Sequence, residues 1–180
     1  MSVAVPAALL AVLVAGYGDA DDSTAARGAC PMVPAGASRA EVGSEAPDFA
    51  LATLDGECIR LRDERGRAVV LTFFASWCNP CEQEMPLLES AAREYGDALS
   101  VLAVSYQEAL RSDAEDFVDR LGVTYPAMFD AEREVADRYG VRAIPQTFFI
   151  DAEGIVRDRV FGITTEAALD EPLRALLARD

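Results

Sequence analysis

At residues 69–86 the chain reads VVLTFFASWCNPCEQEMP. The continuous run of β-branched and aromatic residues from Val69 to Phe74 predicts a strand that is buried on both faces, as in a parallel sheet. The residues after it predict a turn that carries Cys78 and Cys81 and opens a helix near Asn79. The sequence therefore predicts a pair of thiols at the carboxyl end of a core strand.

The position of Cys78 favours its ionised form. A helix that begins near Asn79 points free backbone N–H groups and the positive end of its dipole at this sulfur. The i, i+3 spacing places Cys81 on the same helical face, further inside and within reach of a disulfide. Pro80 lies in the first turn, where its fixed φ stiffens the geometry between the two sulfurs. We therefore predict that Cys78 is the attacking sulfur and Cys81 the resolving sulfur.

Zinc binding and a purely structural bridge are the alternatives for this C-x-x-C pair. A four-ligand zinc site needs a second pair of ligands, but Cys30 and Cys58 are 28 positions apart and the chain contains no histidine. The missing histidine also excludes Cys–His and Ser–His nucleophile pairs. We therefore predict redox chemistry at the dithiol and no metal.

Two segments resemble the TlpA/ResA/DsbE branch of the thioredoxin-like proteins. They are FFASWCNPCEQEMP at residues 73–86 and GVRAIPQTFFID at residues 140–151, and the resemblance covers roughly residues 44 to 178. It implies an α/β fold, the thioredoxin-like three-layer sandwich, in which helices flank a mixed central sheet. The Asp55-Gly56 turn predicts an N-terminal hairpin extension, and the resemblance implies a central insertion at residues 107–130. The order of predicted strands and helices is compatible with this architecture.

The resemblance also implies which residues contact the substrate. In this family the proline that matches Pro145 forms a cis peptide bond and lies against the C-x-x-C pair, and the preceding residue, here Ile144, offers backbone groups to an extended substrate. An ordinary trans proline at the entry of a strand is the alternative, because only about 5% of X–Pro bonds are cis. Trp77 and Pro80 complete the predicted substrate-binding set, although Trp77 could instead be a core tryptophan.

Glu84 is the predicted proton acceptor for Cys81. It lies in an otherwise apolar helical stripe formed by Cys81, Glu84, Leu88, Ala91 and Tyr95. Burial disfavours the charged form of a carboxyl and suits it to take the thiol proton while a mixed disulfide resolves. A solvated helix glutamate is the alternative. Thioredoxins proper carry a buried aspartate on the preceding strand, where this chain has Thr72.

Residues 1–18 are predicted to be a signal peptide or membrane anchor. Val3–Ala15 is a run of 13 apolar residues, which is shorter than the roughly 20 that span a bilayer but typical of a signal-peptide h-region. The alternative is that this run is a buried helix of the domain. Tyr17 stands where a lipoprotein signal box requires cysteine, so the sequence does not support a lipid anchor at this position. Residues 19–43 have the composition of a flexible linker, and the thioredoxin-like domain then covers residues 44–180.

Cys30 and Cys58 are predicted to form a structural disulfide if the protein works in an oxidising compartment. Closing a loop of about 29 residues would contribute a few kcal/mol to stability. The alternative is that Cys58 is a small core residue and Cys30 is free.

The charge of the chain excludes some partners. There are 31 acidic and 16 basic residues, all of the latter arginine, and the net charge is −15. Such a field repels phosphate backbones and anionic lipid head groups, so we expect no binding to nucleic acid and no electrostatic docking to membranes. We expect a monomer whose only redox group is the Cys78–Cys81 disulfide, with no added cofactor.

Residues and resemblance together predict an extracytoplasmic thiol–disulfide oxidoreductase, in the periplasm or at the cell surface, that reduces the disulfides of substrate proteins. The resemblance implies a membrane thiol carrier as electron donor and a part in cytochrome c maturation. Two alternatives stay open. One is a thiol peroxidase of the related peroxiredoxin branch, whose Pro and Thr before the reactive cysteine are missing from Ala75-Ser76-Trp77. The other is a non-catalytic binding module.

Overall fold

The computed structural model describes Met1, Cys30, Val33 and residues 39–162 and 165–178. Seven strands and four α-helices lie within these residues. The strands are β1 (Ala50–Ala52), β2 (Cys58–Arg60), β3 (Ala68–Phe74), β4 (Leu99–Ser105), β5 (Ala127–Met128), β6 (Gln146–Ile150) and β7 (Val156–Phe161). The helices are α1 (Asn79–Tyr95), α2 (Arg111–Leu121), α3 (Glu134–Arg138) and α4 (Glu166–Leu177).

Five of the strands form one mixed sheet in the order β5-β4-β3-β6-β7. Strands β3, β4 and β5 run parallel, whereas β6 is antiparallel to β3 and β7 is antiparallel to β6. Helix α1 makes the crossover from β3 to β4 that a parallel pair requires. Every residue of β3 and β4 is buried, which is why both segments are predominantly apolar, with Thr72, Ser100 and Ser105 as the polar exceptions.

Helices cover both faces of this sheet. Val70 and Phe74 of β3 pack into one hydrophobic cluster together with residues of α1, α2 and α4. Leu71 and Phe73 pack into a second cluster, on the other face, with residues of α3 and with Tyr139. Burying each side chain of this size contributes about 1.5–3 kcal/mol. The predicted three-layer sandwich with a mixed central sheet is therefore confirmed.

The predicted N-terminal hairpin is also present. Strands β1 and β2 pair antiparallel, and the turn between them contains Gly56 at a φ of +94°, a left-handed conformation that glycine adopts without steric cost. The N–H of Leu54 donates to the carbonyl of Ala127 at 2.7 Å, so the hairpin is attached to the short edge strand β5. A backbone covered in this way is protected from pairing with other chains.

The central insertion at residues 107–130 contributes α2 and β5. Helix α2 ends at Gly122, whose φ of +65° closes the helix in the left-handed region. Phe117 of α2 stacks on Phe74 of β3, with ring centroids 5.9 Å apart. The insertion is therefore packed on the face of the sheet that also carries α1.

Within the described residues, the helices are too short or too polar to cross a bilayer. Except for Met1, the predicted signal segment at residues 1–18 lies outside the described residues, as does most of the predicted linker at residues 19–43. The proposed division of the chain into signal, linker and domain stays a prediction.

Candidate active site

Cys78 and Cys81 form a disulfide at the N-terminus of α1. Their sulfurs are 2.01 Å apart and their Cα atoms 5.3 Å apart. Strand β3 ends at Phe74, and the N–H of Cys78 donates to the carbonyl of Ala75 at 3.1 Å, which closes a tight turn directly before the helix. Cys78 is 4% exposed and Cys81 is fully buried. Of the two sulfurs, the one predicted to attack is therefore the one nearer to solvent.

Helix α1 begins at Asn79, as predicted, and Cys78 is its N-cap residue. The backbone N–H of Cys81 donates to Sγ of Cys78 at 3.2 Å. An amide N–H that points at sulfur, together with the helix dipole, favours the thiolate over the thiol once the disulfide is reduced.

The peptide bond between Ile144 and Pro145 is cis, which confirms the conformation implied by the family resemblance. Strand β6 begins at the next residue, Gln146, which pairs with Phe73 near the end of β3. Pro145 therefore lies at the same end of the sheet as the dithiol. Ile144 packs against the hydrophobic cluster that contains both active-site cysteines.

Glu84 is buried under the dithiol, at 1% exposure, and is not a solvated helix residue. It lies one helical turn from Cys81. Thr72 of β3 and Thr147 of β6 are cross-strand partners, and both direct their hydroxyls at Oε1 of Glu84, that of Thr72 at 3.3 Å. The two hydroxyls are 3.0 Å apart. The two hydroxyl partners hold the buried carboxyl of Glu84 in one position beside Cys81.

Thr147 is a functional candidate that the sequence analysis missed. Its partnership with Glu84 depends on the register between β3 and β6, which puts Thr147 directly opposite Thr72. The available signal was a threonine in each of two strands that are rich in apolar residues, Thr72 in β3 and Thr147 in β6.

Trp77 is 56% exposed, so it is not a core tryptophan. Its indole N–H donates to the carbonyl of Gln107 at 3.4 Å. The neighbouring Ser76 donates its backbone N–H and its hydroxyl to the two carboxylate oxygens of Glu108, at 2.6 and 2.8 Å. Sequence analysis missed Gln107 and Glu108, which follow β4 and reach the turn before Cys78 because β3 and β4 are parallel and end at the same edge.

Two further ionisable groups lie along α1. Burial raises the pKa of Tyr125 well above its ordinary value, and the nearby carboxylates of Glu84 and Glu89 add to the shift. The Tyr125 hydroxyl stays neutral and donates to the carbonyl of Met85 at 3.3 Å. Burial tends to raise the pKa of Glu89, but hydrogen bonds from Thr124 and the contact with Arg93 outweigh it and lower that pKa.

Cys30 and Cys58 form the second disulfide, with Cα atoms 5.4 Å apart. Cys58 is exposed on β2 and Cys30 is half-buried. The bridge attaches the chain before the domain to the N-terminal hairpin and is not part of the dithiol site.

The structure thus brings Trp77, Cys78, Pro80, Cys81 and the Ile144–Pro145 bond to one end of the sheet, with Glu84 beneath them. Their catalytic and substrate-binding roles stay predictions at this point. Among residues 39–162 and 165–178, together with Cys30, no group of three or more Cys, Asp or Glu side chains could hold a metal ion.

The chain is similar in sequence to known thiol–disulfide oxidoreductases and thioredoxin-like proteins. Residues 42–159 match the model of the AhpC/TSA family. Thioredoxin-like protein YneN of Bacillus subtilis is 39% identical over 133 residues, which cover 73% of this chain and 78% of the relative. Thiol-disulfide oxidoreductase ResA of Geobacillus thermodenitrificans is 38% identical over 136 residues, which cover 75% and 78%.

A solved structure from Chlorobium tepidum, described as a thiol:disulfide interchange protein DsbE, superposes with a TM-score of 0.72 at 33% identity. The match covers 76% of this chain and 98% of the Chlorobium chain. The family match at residues 42–159 includes Cys78 and Cys81.

Proposed function

The chain belongs to the AhpC/TSA family and is a thioredoxin-like thiol–disulfide oxidoreductase, and from this premise we propose that it reduces disulfides of substrate proteins outside the cytoplasm through Cys78 and Cys81. One observation carries the proposal: Sγ of Cys78 accepts the N–H of Cys81 at the N-terminus of α1. A sulfur in that position is activated as a nucleophile because its anion is stabilised before any substrate binds.

In the first step the Cys78 thiolate attacks one sulfur of a substrate disulfide. A new S–S bond forms to Cys78, the substrate S–S bond breaks, and the second substrate sulfur leaves as a thiolate that takes up a proton. The product is a mixed disulfide between the protein and its substrate.

In the second step Cys81 resolves that intermediate. Glu84 accepts the proton of the Cys81 thiol, and the resulting thiolate attacks Sγ of Cys78. The Cys78–Cys81 disulfide forms, and the remaining substrate sulfur leaves and is protonated. Two electrons and two protons pass from the protein dithiol to the substrate. The full burial of Glu84 and Cys81 supports this assignment, because bulk water is excluded from the proton that must move.

The proposed contacts of an extended substrate segment are Trp77, Pro80, Ile144 and Pro145. In support, Trp77 is exposed, and Pro80 and Ile144 are half-buried at the same end of the sheet. The carbonyl of Pro145 is already occupied by the N–H of Gly162, at 2.9 Å. The backbone groups of Ile144 are therefore the proposed partners of the substrate backbone.

The oxidised protein must be reduced again by another dithiol. We assign this step to a membrane thiol carrier and the overall process to cytochrome c maturation, both on the family resemblance. The protein is proposed to act as a monomer with no cofactor beyond its own disulfide.

An extracytoplasmic location is supported by two features. The apolar run Val3–Ala15 is typical of a signal peptide. The Cys30–Cys58 bridge is of the kind that persists in oxidising compartments, and we propose that its role is structural.

The test is reduction of insulin disulfides by dithiothreitol in the presence of the protein. We expect the wild type to accelerate insulin precipitation and Cys78→Ser to abolish the acceleration. Equal activity of the two proteins would contradict catalysis by the dithiol and favour a binding module.

Two more measurements test the direction of electron transfer and the alternative of a thiol peroxidase. Titration of the Cys78–Cys81 pair in glutathione buffers should give a potential at the reducing end of the roughly 150 mV spanned by this fold, and an oxidising value would overturn the reductant assignment. Peroxide consumption faster than insulin reduction would instead identify a thiol peroxidase.

A further inference from the structure

We propose that Glu108 is a positioning residue of the dithiol: it holds the turn that presents Cys78, and its negative charge shifts the Cys78–Cys81 pair toward the disulfide, which makes the protein a stronger reductant. This inference deepens the proposed function and depends on it only for the reductant direction.

Glu108 makes a double contact with Ser76. Glu108 accepts the backbone N–H of Ser76 through Oε2 at 2.6 Å and the hydroxyl through Oε1 at 2.8 Å. Both are charge-assisted hydrogen bonds, which are about twice as strong as neutral ones. Ser76 lies beyond the end of β3, where the sheet no longer supplies a partner for its N–H. Glu108 therefore fixes the orientation of the turn two residues before Cys78.

The backbone that carries Glu108 is itself held against β3 and Trp77. Pairing between β4 and β3 continues one step past the strand ends, with the N–H of Tyr106 donating to the carbonyl of Phe74 at 2.7 Å. Gln107 then adopts a φ of +51°, a left-handed conformation that costs a non-glycine residue about 1 kcal/mol or more. Its carbonyl accepts the indole N–H of Trp77 at 3.4 Å. The loop thus holds both Ser76 and Trp77 at the dithiol.

The carboxylate of Glu108 also acts on Cys78 through its charge. Two residues of extended chain span at most about 7 Å, so the carboxylate bound to Ser76 lies within about one Debye length of Cys78. The ion pairs of residues 39–162 and 165–178 do not include Glu108, so its charge is not neutralised there by an arginine. A negative charge disfavours the Cys78 thiolate and leaves the neutral disulfide unaffected. It therefore favours oxidation of the dithiol, with transfer of two electrons and two protons to the partner disulfide.

The experiment measures the equilibrium between the purified protein and glutathione. In this reaction the dithiol and one oxidised glutathione give the Cys78–Cys81 disulfide and two reduced glutathiones. Glu108→Gln removes the charge and keeps the size, and we expect the equilibrium constant to move about three- to tenfold toward the dithiol, with tenfold equal to about 30 mV. Glu108→Asp keeps the charge and should stay within about twofold of the wild type.

Trp77 provides a second readout, because it is the single tryptophan of the chain. Glu108→Ala should shift the equilibrium at least as far as Glu108→Gln and should also change the tryptophan emission spectrum, since the loop no longer holds Ser76. The matched control is Glu115→Gln, which removes one charge from α2 and should change neither quantity.

Two results would overturn the proposal. One is an equilibrium constant within twofold of the wild type for both Glu108→Gln and Glu108→Ala. The other is an equal shift of the equilibrium constant in Glu115→Gln, which would show that the effect comes from the net charge of the protein and not from the position of Glu108. If Glu108→Ala does not fold, the equilibrium constants of Glu108→Gln and Glu108→Asp decide whether the proposal holds. Failure of insulin reduction would contradict the proposed function, whereas the glutathione equilibrium tests Glu108 independently.

Discussion

The chain contains two disulfides in opposite surroundings. Cys78–Cys81 joins residues three positions apart, and both cysteines are buried at the head of α1. Cys30–Cys58 joins residues 28 positions apart, and Cys58 is exposed on β2. The bridge that is more open to solvent is thus the one that we propose to be inert. Solvent exposure alone therefore does not explain why one bridge is proposed to react and the other is not.

Local chemistry separates the two bridges. Cys78 receives a backbone N–H at a helix N-terminus, and Cys81 lies one turn from the buried carboxyl of Glu84. Such surroundings stabilise a leaving thiolate and provide a proton acceptor for its neighbour. The long loop closed by Cys30 and Cys58 instead restricts the unfolded chain, and its contribution is to stability. We therefore propose that the same covalent bond serves exchange in one place and anchoring in the other.

The largest expected effect is the loss of turnover when the resolving cysteine of the Cys78–Cys81 bridge is replaced, which should trap the substrate on Cys78. Cys81→Ser cannot resolve a mixed disulfide, so turnover of insulin reduction should fall by about a thousandfold and a covalent adduct through Cys78 should accumulate. Cys58→Ser should turn over at nearly the wild-type rate. Mass spectrometry of the acid-quenched reaction measures the adduct, and an adduct on Cys30 in place of Cys78 would reverse the assignment of the two bridges.

The next effect is on stability. Replacing Cys30 and Cys58 together by serine should lower the free energy of unfolding by up to about 3–4 kcal/mol, because the unfolded chain regains the entropy of a loop of about 29 residues. Urea unfolding of the oxidised proteins, followed by circular dichroism, measures this. Insulin reduction per folded molecule should be unchanged. An unaltered urea midpoint would show that the bridge is not structural.

Glu84→Gln tests the proton acceptor beneath the reactive bridge. Glutamine cannot take the thiol proton, so resolution of the mixed disulfide should slow by about 10- to 100-fold and depend more steeply on pH. Rapid-quench single-turnover kinetics separates this step from the first attack. Glu82→Gln, in the same turn of α1 but exposed, is the matched control. Equal resolution rates in both variants would remove Glu84 from the mechanism.

The smallest effect concerns Glu89, the other buried carboxyl of α1. Its pKa lies below the ordinary value of 4.5, so the stability it contributes is complete above that pH and is lost as pH falls through the lower folded value. Glu89→Gln should lose about 1–2 kcal/mol of stability at pH 7 and a smaller amount at pH 3. Urea unfolding at the two pH values measures the difference, and insulin reduction should not change. A constant loss across pH would mean that the charge of Glu89 is not involved.

Local patterns predicted much of this molecule. The apolar run identified β3, and the first turn around Pro80 identified the start of α1 at Asn79. Helix α3 begins at Glu134, directly after Arg133, whose φ of +60° lies in the left-handed region. Local helix preference does not specify a backbone conformation of this kind, because tertiary packing overrides it.

Contacts across strands were not predictable in the same way. Thr147 reaches Glu84 across 63 positions of sequence, and Glu108 reaches Ser76 across 32. The Thr147–Glu84 contact requires the register between β3 and β6, and the Glu108–Ser76 contact requires the direction of the loop after β4. Neither quantity is encoded in a short window of residues.

The order of residues alone specified a dithiol at the end of a buried strand, since that depends on hydrophobic periodicity and on spacing within one helical turn. Folding in three dimensions decided which carboxyl groups surround it: Glu84 beneath Cys81, with threonine partners from two strands, and Glu108 against the turn. The reason is physical. Propensity and spacing act over a few residues, whereas burial and hydrogen bonding of a charged group depend on every segment packed around it.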